Sequence, residues 1–80
     1  MSQYDVASLI FEAGSEGISA RKLIRKTGLA EGTCRSNLIT LSEKDIVDNE
    51  SDVYYPHPDA TQEDLERIRP RTISELREDS

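Results

Sequence analysis

Four bases, Arg21, Lys22, Arg25 and Lys26, fall within six residues of an 80-residue chain. Their spacing alternates with Ala20, Leu23, Ile24 and Thr27, so a helix over this stretch puts the apolar residues on one face and the cations on the other. A row of cations of this kind either neutralises phosphates or simply solvates a helix face. Farther along, Thr33, Arg35, Ser36 and Asn37 bring hydroxyl, guanidinium and amide groups close together. Other chemistries find little material. His57 and Cys34 are separated by a predicted turn and strand and make no nucleophile and base pair. The carboxylates lack the spacing of metal ligands. Gly14-Ser15-Glu16-Gly17 reads as a turn, since a phosphate loop needs a preceding strand and a Lys. No enzyme activity, cofactor or metal is expected.

The elements that must position these side chains follow from apolar spacing. Leu, Ile, Val and Phe cluster before residue 50, enough for one domain with a modest core. Ser2 and Asp5 suit a capping pair, and Val6, Leu9, Ile10 and Ala13 recur at helical spacing, predicting a helix that ends near Gly14. Ser19 can cap the basic helix, Gly28 can end it, and Leu29 turns back toward the core. A third helix, beginning near Ala30, has Cys34, Leu38 and Leu41 along its inner stripe and leaves Arg35 and Ser36 outward. Ile46-Val47 and Val53-Tyr54-Tyr55 predict a β-hairpin around a polar turn over residues 48 to 52. Pro56 and Pro58 should stop its second strand and leave His57 exposed between them. From Asp59 to Ser80 an acidic tail carries one or two short helical turns, with Thr61 and Asp64 as a capping box before Leu65 and Ile68, then Pro70, Ile73 and Leu76. This tail docks on the domain, pairs with a second copy, or stays unfolded until a partner arrives.

Charge is distributed unevenly. The formal net charge of −6 divides into −3 over residues 1 to 20, +3 over 21 to 47 and −6 over 48 to 80. One basic segment thus lies between acidic flanks, which argues against unspecific binding to polyanions. The acidity would suit either a high-salt cytoplasm or an acidic protein-binding surface. No apolar run reaches the roughly 20 residues of a membrane span, and no secretory signal is recognisable, so the chain reads as soluble and cytoplasmic. Cys34 sits in an apolar pattern and reads as a small core residue.

Helix, helix, glycine turn, helix and hairpin follow in the order of a winged helix-turn-helix. The run GISARKLIRKTGLAEGTCRSNLITLSEKDIV, residues 17 to 47, resembles that superfamily, with Leu23, Gly28, Leu29, Leu38, Leu41 and Val47 as its most specific part. The resemblance covers residues 4 to 55 and is closest to small prokaryotic transcription regulators. It implies an α+β winged-helix domain over residues 1 to 58, three helices plus a hairpin wing, that binds double-stranded DNA. The third helix would then enter the major groove, with Thr33, Arg35, Ser36 and Asn37 near base edges and Arg35 as the candidate for guanine. Arg21, Lys22, Arg25 and Lys26 would lie near phosphates. So small a reader would gain from forming a homodimer on two half-sites.

At three places the chain departs from the family pattern. Ala30 stands where Ser or Thr often caps the reading helix, and Gly32 follows in its first turn. The wing carries Asp48, Glu50 and Asp52 and no base. Ile39 occupies a commonly polar outer position, where it meets a protein partner or packs under the wing. The acidic wing and Ile39 support a competing expectation, a winged helix that uses its acidic wing and tail to engage a basic protein without binding DNA.

Overall fold

The computed structural model describes residues 2–69. They form an α+β arrangement of four α-helices and a three-stranded antiparallel sheet. In chain order these are α1 (Ser2–Ala13), β1 (Ile18–Ser19), α2 (Ala20–Thr27), α3 (Glu31–Glu43), β2 (Val47–Glu50), β3 (Val53–Pro56) and α4 (Gln62–Arg67). The core gathers Val6, Ala7 and Ile10 of α1, Leu23 of α2, Cys34, Leu38 and Leu41 of α3, Ile46 and Val47, and Leu65 of α4. Among the described residues no helix is long and apolar enough to cross a membrane.

The first helix ends at Ala13 as its periodicity predicts, but its inner stripe centres on Val6, Ala7 and Ile10, with Leu9 and Ala13 at the edge. The helix includes Ser2 and Asp5 in its first described turn. A single 3-10 turn, Gly14–Glu16, then leads to Gly17, whose φ of 74° and ψ of 172° are open essentially to glycine alone. Any Cβ at Gly17 would come within 2.6 Å of the Tyr55 and Val53 side chains. That close approach lets the chain run directly into β1, a strand the sequence did not predict. Two residues are too few for an alternating pattern, and the partner lies far along the chain: Ile18 pairs with Tyr54 and Ser19 with Val53. The sheet order is therefore β1-β3-β2, with β3 in the centre.

Ser19 ends β1 and caps α2, accepting a hydrogen bond from the Lys22 N–H at 3.2 Å. At the other end Gly28 takes the left-handed conformation and donates its N–H to the Ile24 carbonyl at 2.9 Å. Thr27 locks the corner: its hydroxyl donates to the Leu23 carbonyl at 2.7 Å and accepts from the Leu29 N–H at 3.3 Å. The turn toward α3 is thus fixed by side-chain and backbone bonds together.

The hairpin has a tighter tip than predicted. Strand β2 continues through Asp48, Asn49 and Glu50, so only Ser51 and Asp52 make the turn, with Glu50 opposite Val53. Ser51 carries the positive φ of 58° that lets the two strands meet across two residues. Ile46 is buried just before β2 and is not part of it. The tip is anchored, because the Ala20 N–H donates to the Asp52 carbonyl at 2.9 Å and ties it to the start of α2.

His57 departs from its expected exposure and is half-buried. Its Nδ1 accepts the Asp59 N–H at 3.0 Å, its own N–H donates to the Ile46 carbonyl at 3.0 Å, and Nε2 lies 4.0 Å from an Asp45 carboxylate oxygen. It holds the exit from β3. Beyond it Thr61 and Asp64 form the predicted capping box, in which each side chain accepts the other residue's backbone N–H. Leu65 joins the core and α4 contacts α1, so residues 59–69 dock on the domain. Pro70, Ile73 and Leu76 of the predicted tail lie outside the described residues.

Candidate functional site

The four cations of α2 are all exposed, and none forms a salt bridge with a described residue. The other described bases are engaged: Arg35 with Glu31 at 3.2 Å, Arg67 with Asp64 at 3.4 Å, Arg69 with Glu66 at 3.1 Å, and Lys44 with the Gln3 side-chain Oε1 at 3.1 Å. Helical geometry nevertheless splits the α2 cluster into two ridges, Arg21 with Arg25 and Lys22 with Lys26. Arg21 lines a groove of about 560 Å³ with Ser19, Ile24, Glu31, Arg35 and Asp52. Lys22 and Lys26 instead line a smaller one of about 230 Å³ with Glu12 and Glu16. Arg21 thus faces the start of α3 and the hairpin tip, Lys22 and Lys26 face the end of α1, and two carboxylates line each groove.

On α3, Cys34, Leu38 and Leu41 fix the inward direction. Successive residues turn by about 100°, so Gly32, Ser36 and Glu43 point away from the core, with Arg35 and Ile39 on one flank and Thr33 on the other. Thr33, Arg35 and Ser36 are exposed accordingly. Asn37 lies only about 60° from the inward direction, and it is half-buried. The structure therefore brings Arg35 together with Arg21 at one groove, leaves Ser36 exposed on the outer arc and Thr33 across the helix, and sets Asn37 at the margin.

The leading turn of α3 has no side-chain cap, since its N-cap is Ala30 in an extended conformation. Glu31 stands first in the helix, where a carboxylate complements the partial positive charge of the exposed N–H groups. Its Oε2 also accepts from Arg35 Nε at 3.2 Å, with both side chains about half exposed or more. This i, i+4 order of acid before base is legible in the sequence as a favourable helical pair. Beneath it the Cys34 thiol is fully buried; burial pushes its pKa up, and the nearby Arg35 charge works in the opposite direction. A neutral thiol in this position packs and does not react.

Asp48, Glu50 and Asp52 are all exposed on the hairpin, and Asp52 reaches the groove of Arg21 and Arg35. Ile39 is 62% exposed and is the one large apolar side chain exposed among the described residues. It does not pack under the hairpin. The anchoring of Asp52 to Ala20 was not foreseeable from local sequence, because it needs β1 and β3 to be paired first. No cluster of three or more His, Cys, Asp or Glu side chains among the described residues is placed to hold a metal ion.

The arrangement offers one surface with unneutralised cations on α2, hydrogen-bonding side chains on the outer arc of α3, and an acidic tip beside them. Such a surface can contact a polyanion through α2 while α3 tests the shape and donors of what lies next to it. Comparison with protein-family models, with curated proteins and with solved structures gives no match.

Proposed function

We propose that this chain is a winged helix-turn-helix protein that binds duplex DNA sequence-specifically and acts as a transcription regulator. In this reading α3 enters the major groove, β2 and β3 form the wing, and the α2 cations meet phosphates. The observation that carries it is the exposed row Arg21, Lys22, Arg25 and Lys26, which no described carboxylate neutralises in a chain where acids outnumber bases sixteen to ten. Four cations kept free beside an exposed, polar helix face make poor sense as solvation alone, since acids were available to pair with them. Arg35 shares a groove with Arg21 of this row and is placed for base contact, with Ser36 and Thr33 exposed farther round the same arc. Two copies on two half-sites would supply the affinity that one small reader lacks.

Selection from a pool of random duplex DNA tests the reading. An enriched motif is expected, and the absence of enrichment at low salt would sink the proposal. A second reading is favoured by the exposed Ile39 and the acidic tip: a protein-interaction module that engages a basic partner and has no useful DNA affinity. The two separate cleanly, because Ile39→Ser leaves DNA selection unchanged under the first and abolishes partner binding under the second.

A further inference from the structure

We infer that Glu31 is a positioning residue for base recognition, which holds Arg35 so that the free end of its guanidinium meets a guanine edge; this rests on the DNA-binding reading above. The atom involved is decisive. Glu31 takes the Nε–H of Arg35, at 3.2 Å, and leaves the terminal amino groups unclaimed by any described residue. Guanidinium is planar and presents its five N–H donors in a fixed fork, so an acceptor on Nε fixes the direction in which the terminal edge points. The terminal pair is then the edge left to donate to guanine O6 and N7.

The surroundings make such a hold useful. Arg35 is a long side chain that loses considerable freedom when it docks, and a restraint present in the free protein lowers that loss. Its neighbours offer no other rigid support, since Ala30 provides no cap and Gly32 provides no side chain in the same turn. Arg21 lines the same groove and cannot anchor a second cation, and Glu31 is the carboxylate that pairs with Arg35. Asp52 faces the groove too, yet it forms no salt bridge with Arg35.

Glu31 also has a simpler role to compete with, that of an acid at a helix start which repels phosphates from everything nearby. The two roles predict opposite things about selectivity. A merely repelling carboxylate, once removed, strengthens binding to all duplexes alike. A positioning carboxylate, once removed, leaves general affinity the same or higher while the preference for one base falls.

The test uses the full chain as wild type, Glu31→Ala, Glu31→Gln and Arg35→Ala, with titrations on the selected duplex and on versions changed at single base pairs. Arg35→Ala should flatten the preference at one guanine. Both Glu31 variants should reduce the preference at that same guanine by about fivefold or more, with affinity for unselected duplex unchanged or raised. Glu31→Gln keeps the size of an exposed side chain, so the fold is preserved in at least that variant. An unchanged preference in both Glu31 variants overturns the inference and leaves the DNA reading standing. Failure of the wild type to select any motif overturns both.

Discussion

Gly17 is held at φ 74° and ψ 172° with its α-carbon against Tyr55 and Val53, so both backbone and space exclude a side chain there. Gly17→Ala should cost about 2 kcal/mol or more, measured by denaturant unfolding, because backbone strain and a displaced aromatic ring add together. Gly32 offers a contrast at the same scale, with an ordinary helical φ and open space where a Cβ would go. Cys34 makes a different prediction. Its thiol pKa is raised by burial, so the folded chain holds that proton more tightly than the unfolded chain. This contribution to stability is complete below the ordinary thiol pKa of about 8.5 and is lost as pH rises from there through the folded value. Stability should therefore decline on the alkaline side, and Cys34→Ala should remove that part of the decline. Thiol reagents should modify Cys34 at the rate of opening of the fold.

Among the elements, α2 and α3 were legible in the sequence because each carries its own local signals. Ser19, Gly28 and the Cys34, Leu38, Leu41 stripe take the cap, corner and core positions that their types and spacing imply. β1, the short Ser51-Asp52 turn and the half-buried His57 were not legible, since each depends on partners distant in the chain. The candidate site divides along the same line. Exposure of Arg21, Lys22, Arg25, Lys26, Arg35, Ser36 and Thr33 follows from periodicity, whereas the separation of Arg21 from Lys22 and Lys26 into two grooves depends on how α1 and the hairpin pack. The start of α3 lacks a side-chain cap. Ala30→Ser should stabilise the domain by about 1 kcal/mol through a new acceptor for the first-turn N–H groups. For a domain of this size that corresponds to a rise in Tm of roughly 4 to 8 °C in thermal unfolding.

At the scale of the whole molecule, a chain of net charge −6 exposes an uncompensated basic row on one helix and docks its acidic α4 on the domain through Leu65. Long-range attraction to a polyanion is weak for such a body, so binding must be local and oriented, with α2 toward the phosphates. Salt dependence reports this directly. The logarithm of duplex affinity should fall linearly with the logarithm of salt concentration, by about 0.9 for each phosphate contact. Phosphate contact by α2 is tested by comparing this slope between the wild type and a variant with Arg21, Lys22, Arg25 and Lys26 all changed to Ala. A steep slope is expected for the wild type and a clearly shallower one, with much weaker binding, for the variant. Equal slopes, or no duplex affinity in the wild type at low salt, would contradict that contact.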